Sequence, residues 1–203
     1  MTVTRSGGVR EQGFADRLRH LAVQANPAFA VGSVVVPLAF VAGAVAVGST
    51  TALFYTHVVA GAVWFGFALL FPAVIGPALG ALEDEQAARV TTQLTPKVVF
   101  FVFGFSFATV LSGTALLTSG LGLGYGFTGF WPTLALGVGW GLFLFGLVVP
   151  NRLHLRAYYE GLDGDPDADR MDRIERRNVV VGLFEAVVML AVIVVMTGFR
   201  LGL

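Results

Sequence analysis

The stretch from Tyr55 to Leu82, YTHVVAGAVWFGFALLFPAVIGPALGAL, decides the fold. It holds no Asp, Glu, Lys or Arg and exceeds the ~20 residues that a helix needs to cross a ~30 Å hydrocarbon core, so it reads as a membrane-spanning helix. His57, Gly61, Trp64 and Ala68 stand at i, i+4, i+7 and i+11. At ~3.6 residues per turn they fall within about 40° of one direction, so one face carries an imidazole, two small residues and an indole. An ionisable side chain inside a bilayer helix is expensive, and a functional role with a named partner is the reading to test. The same imidazole also fits a plainer role, a hydrogen bond that ties two helices together.

The rest of the chain follows the same pattern. Of its 203 residues 56% are hydrophobic and 13% charged, and the mean hydropathy is +0.78. Apolar runs of spanning length recur, which predicts an all-α, polytopic transmembrane bundle over residues 27–203. Its five spans lie at about 28–47, 51–79, 97–118, 131–150 and 179–199. A β-barrel is excluded at this level because no run alternates with the two-residue period of a strand. Residues 1–26 form a separate amphipathic segment, cytoplasmic or interfacial. There Phe14, Leu18, Leu21 and Ala22 share a helical face while Arg10, Arg17 and Arg19 reach water or headgroups. The first apolar run is too long for a secretory leader and is expected to stay in the mature protein. The formal net charge of zero argues against a nucleic-acid partner, and the absence of Cys removes disulfides, thiolate metal sites and Cys-based catalysis.

Prolines and glycines punctuate the spans. Pro27 suits the first position of a helix, and Gly48, Ser49 and Thr50 make a turn. Pro72 and Pro77 are expected to kink or end the second span, Pro96 to break a short polar helix before the third, and Pro150 to close the fourth. The glycine-rich run at 119–126 is an uncharged loop; no strand precedes it and no Lys follows, so it is not a phosphate loop. Residues 151–178 read as one long polar loop. Its Asp163, Asp165, Asp167 and Asp169 alternate as in a calcium loop, but Ala168 stands where the turn needs Gly and Ile174 where a bidentate Glu belongs.

Positive charge sets the orientation. The segment before the first span holds Arg5, Arg10, Arg17 and Arg19, the second loop Arg89 and Lys97, and the fourth loop six Arg. The first and third loops hold none. The positive-inside rule then puts the N-terminus in the cytoplasm and the C-terminus outside.

Few polar or soft side chains lie inside the spans. On the fifth, Glu185, Met189 and Met196 share a face at i, i+4 and i+11. At a rise of ~1.5 Å per residue, His57 is level with the gap between the two thioethers. Imidazole with thioether suits Cu(I), and His/Met is also an axial pair for haem iron, whereas methionine equally serves as ordinary packing. Glu185 reads either as a proton relay or as a neutral carboxyl hydrogen-bonded to Ser106, Thr109 or a backbone carbonyl. His154, among Arg152, Arg156, Tyr158 and Tyr159, reads as an interfacial anchor a bilayer core away from His57, and His20 lies in the leading segment. A haem held by two histidines of one chain is therefore disfavoured.

His57 followed by Trp64, Phe65 and Gly66 makes the pattern H-x6-W-F-G, which leads into an apolar half-helix and a charged loop. This resembles the opening helix of copper resistance protein D (CopD)-like membrane proteins and of HemJ-type protoporphyrinogen oxidases. The resemblance implies a multi-pass protein of the cell membrane with His57 as a ligand to copper or haem b, beside Gly61 and Trp64. It leaves room for a homo-oligomer or a membrane partner subunit in the lipid bilayer. The HemJ-type enzymes carry a Lys on a later Trp-led helix, where this chain has Trp131, Pro132 and Thr133 and no Lys, a departure that counts against the oxidase activity. A cofactor-free structural or interaction subunit is the alternative from a different class.

Overall fold

The computed structural model describes residues 13–118, 128–162 and 168–201. Among them the chain forms six helices and no strand. These are α1 (Phe14–Gln24), α2 (Pro27–Ala46), α3 (Thr50–Gly80), α4 (Asp84–Leu117), α5 (Phe130–Gly161) and α6 (Ala168–Leu201). All but α1 are long and apolar enough to cross a membrane.

Local chemistry sets the first boundaries. Asn26 takes a left-handed backbone (φ +74°), and its Oδ1 accepts the Ala28 N–H at 3.0 Å with Pro27 at the first helical position. Gly48, also left-handed at φ +66°, ends the link after α2, and Ser49 Oγ caps α3 by accepting the Ala52 N–H at 3.1 Å.

The internal prolines behave differently from the sequence expectation. Pro96 does not break a helix: α4 runs unbroken from Asp84 to Leu117, with Thr95 and Pro96 buried. Nor does Pro150 end α5, which continues to Gly161, and α6 begins at Ala168. The supposed polar loop over 151–178 is thus mostly helix. A missing proline donor costs about 3 kcal/mol in an isolated helix, but within a membrane bundle neighbouring helices and local adjustment re-satisfy the freed groups. In α3 the adjustment is visible. Phe71–Ile75 is a π-helical turn around Pro72, with the Gly76 N–H bonded to the Phe71 carbonyl, after which Gly76–Gly80 resumes as α-helix. The glycine-rich loop and Asp163, Asp165 and Asp167 lie outside the described residues; Asp169 sits in the first turn of α6.

Helix α4 is the hub, packed against α1, α2, α3 and α5, while α3 also meets α2 and α6, and α5 meets α6. Small residues allow the close approaches. Gly104 of α4 lies directly on the backbone of α2, where a Cβ would overlap the Ser33 carbonyl oxygen and come within 2.9 Å of Val34 Cα. The outward faces stay apolar, among them Val31, Val35 and Phe40 of α2 and Val180, Phe184, Val187 and Val194 of α6. Exposed hydrophobic surface on every side of a bundle is the signature of lipid as the surrounding solvent. The chain is built as a multi-pass membrane protein.

Candidate functional site

Helix α3 turns the face carrying His57, Gly61, Trp64 and Ala68 inward, and the four residues have different neighbours. His57 meets α4. Its Nδ1 lies 3.0 Å from the Thr109 carbonyl and 3.3 Å from Ser112 Oγ. A carbonyl only accepts, so Nδ1 carries the hydrogen and donates it. Ser112 in turn gives its proton to the Ala108 carbonyl at 2.6 Å, with Thr109 O at 3.1 Å. The neutral imidazole is thereby fixed as the tautomer whose lone pair is on Nε2. The ring rests on Gly113: a Cβ there would stand 2.8 Å from His57 Cε1 and 3.2 Å from Nδ1. One turn along α3, Gly61 faces the Thr109 methyl, 3.4 Å from where a Cβ would be.

Trp64 and Glu185 form the second polar contact. Both are buried, at 4% and 6% exposure, and the indole Nε1–H donates to Glu185 Oε1 over 3.2 Å. Gly146 of α5 leaves room for the carboxyl, since a Cβ there would be 3.3 Å from Oε1. Around the pair, Trp64, Ala68, Val110, Leu142, Phe143 and Met189 make one apolar cluster. Ser106 and Thr109, the hydroxyl partners expected for Glu185, bond elsewhere. Ser106 Oγ donates to Phe103 O at 3.2 Å and Thr109 Oγ1 to Phe105 O at 2.7 Å. Hydroxyls on a helix in apolar surroundings find the carbonyl three or four residues back, which costs no second helix.

Helix α6 runs antiparallel to α3. Val179 packs at Gly76, Gly182 at Pro72, and Glu185 at Trp64. Passing from Glu185 to Met196 therefore follows the same direction as passing from Trp64 to His57. Met189 is buried with Trp64, and Met196 is half-buried further along α6; the hydrogen bonds of His57 go to α4, not to α6.

The arginine-rich end holds polar contacts that sequence reasoning missed. His20 Nε2 is 2.8 Å from the Tyr158 hydroxyl, and Tyr158 is buried with Leu21 and Tyr159. Burial lowers the His20 pKa below its ordinary value, so the folded state favours the neutral ring beside the phenol. Arg170 pairs with the buried Glu160 at 3.3 Å. The ring of His154 stands edge-on to Phe71, with centroids 4.7 Å apart and planes at 82°. Phe71 is 14 residues from His57 along α3, about 21 Å, so the two histidines serve different ends of the bundle. No periodicity or motif joins His20 to Tyr158, which are 138 positions apart.

Comparison with protein-family models, with curated proteins and with solved structures finds no match to this chain. Among the described residues no three His, Asp or Glu side chains converge, so a metal here would rest on few protein ligands. What the site offers is one imidazole with an oriented lone pair, a soft thioether further across, and a buried carboxyl held by an indole.

Proposed function

We propose that this chain is a cofactor-binding protein of the cell membrane, resembling CopD-like proteins, in which His57 Nε2 ligates copper or haem iron. The observation that carries the reading is the hydrogen bond from His57 Nδ1 to the Thr109 carbonyl. Metal-bound histidines are typically held in this way by their other nitrogen, which fixes the tautomer and aims the lone pair. The ring lies against Gly113, where a Cβ would meet Cε1 at 2.8 Å, so the glycine is what admits the imidazole between α3 and α4. His57 would hold the group, with Gly61 one turn along α3, and Met189 or Met196 of α6, the helix that meets α3 at Trp64, are the candidate soft ligands. Copper would be carried or stored as Cu(I), and haem would add one-electron chemistry. A HemJ-like oxidase activity has less support, because the Trp-led fourth span lacks a Lys.

The same hydrogen bond favours one rival, a cofactor-free structural subunit in which His57 ties α3 to α4. The absorption spectrum of protein purified from its native membrane separates the readings. A Soret band identifies haem, and a colourless protein with stoichiometric copper identifies copper. A colourless, copper-free preparation that stays so after loading with either group rejects the proposal and leaves the structural role.

A further inference from the structure

The outer face of α5 and α6 carries a charge pattern that the His57 reading does not use. The two helices are antiparallel neighbours, with Arg170 of α6 on Glu160 of α5 and Glu185 at Gly146. Phe145 and Phe184 meet across them on the outside, their ring centroids 5.7 Å apart, with Phe184 exposed. Along α5, Arg152 and Arg156 follow Phe145 at i+7 and i+11 and share its row. Along α6, Arg177 and Arg173 precede Phe184 at i−7 and i−11 and share its row. The phenyl contact sets the two rows side by side, so the four arginines flank one groove. At a rise of ~1.5 Å per residue, Arg152 and Arg177 stand ~10 Å from the phenyl pair and Arg156 and Arg173 ~16 Å, as two matched rungs.

All four arginines are exposed, while Leu153, Ala157 and Ile174 beside them are buried. None of the four makes an ion pair or hydrogen bond among the described residues. Of the acids at this end, Glu160 pairs with Arg170 and Glu175 lies against Gly80 of α3; Asp169, one turn before Arg173, is exposed. The positive-inside rule accounts for arginines at this end but not for their pairing at matched depth on two facing rows. A guanidinium fork matches phosphate oxygens two at a time. Between the rungs and the phenyl pair the surface turns apolar, with Val148 and Val180 both exposed. A cationic head above an apolar lane complements a lipid, whereas a free phosphate or an acidic protein surface has no use for the lane.

We propose that this groove seats one anionic phospholipid of the leaflet at the arginine-rich end. Its phosphate is held by Arg152, Arg156, Arg173 and Arg177, and an acyl chain lies over Val148 and Val180 down to the Phe145–Phe184 pair. Bound there, the lipid bridges α5 and α6. The inference is independent of whether His57 binds a cofactor.

Native mass spectrometry of the full chain in detergent, titrated with dioleoyl phosphatidylglycerol or with zwitterionic dioleoyl phosphatidylcholine, tests it. The first phosphatidylglycerol should bind at least about fivefold more tightly than phosphatidylcholine, the order expected from even one basic side chain near an anionic lipid. Combining Arg152→Gln, Arg156→Gln, Arg173→Gln and Arg177→Gln should erase that preference. Arg89→Gln with Lys97→Gln, which removes two charges from the second loop instead, should leave it in place, and excess inorganic phosphate should not displace the lipid. Equal affinity for the two lipids, displacement by phosphate, loss of the preference in the second-loop variant, or its survival in the four-arginine variant overturns the proposal. The wild-type comparison and the second-loop variant decide it even if the four-arginine variant fails to assemble.

Discussion

Trp64 Nε1 donates to Glu185 Oε1 at 3.2 Å, joining two helices whose contact residues are 121 positions apart in the chain. The carboxyl is buried and the indole is its one direct donor among the described residues, so removing the donor leaves an acceptor uncompensated in an apolar cluster. Trp64→Phe should destabilise the bundle by about 1–3 kcal/mol, the cost of an unsatisfied buried polar group. Glu185→Gln, which keeps the shape and an acceptor oxygen, should cost less. A double-mutant cycle in a denaturation assay checks this; additive effects of Trp64→Phe and Glu185→Gln would show that the pair does not interact.

Gly104 is the tightest crossing. Because a Cβ would collide with the Ser33 carbonyl, α2 and α4 must move apart to accept one, and backbone cannot yield as a flexible side chain can. Gly104→Ala should lower stability by about 3 kcal/mol, near the upper range for overpacking, whereas Gly137→Ala, with open space around it, should be nearly neutral. Thermal unfolding of the two variants side by side measures the contrast.

These two contacts mark what was legible in the sequence. Five apolar runs and the inward face of His57, Gly61, Trp64 and Ala68 follow from length and period, because membrane thickness and helical pitch act on local sequence. Pro96 and Pro150 stay inside helices, against the rule for an isolated helix, because the bundle supplies the packing that tolerates them. The glutamate's partner, the glycine seat of His57 and the His20–Tyr158 bond depend on which helices become neighbours. No local pattern encodes that.

His20 links α1 to the bundle, and its dependence on pH has a definite sign. Burial depresses its folded pKa, so the docked state favours the neutral ring. The contribution is present above the ordinary histidine pKa of about 6.5 and is lost as pH falls below it and through the depressed folded value. Hydrogen exchange of α1 amides, corrected for intrinsic rates, should show weaker protection at low pH than at neutral pH. In His20→Gln the difference should vanish; persistence of the same pH dependence would assign it to another group.

Topology follows from the arginine bias. The chain has no Cys, so single cysteines are unique labels. Val47→Cys, in the exposed link after α2, should react with an impermeant maleimide on intact cells, and Glu83→Cys, at the other end of α3, only after permeabilisation. The opposite pattern would invert the bundle.

The central claim is that His57 Nε2 is a ligand. Haem and copper per chain should be quantified in the wild type and in His57→Ala, with assembly of both checked by size-exclusion chromatography. The account predicts about one bound group per chain, or one per two chains if an oligomer shares it, and near-complete loss in His57→Ala with the bundle still assembled. Full retention of the group in His57→Ala would contradict it and leave His57 as the hydrogen-bond tie between α3 and α4.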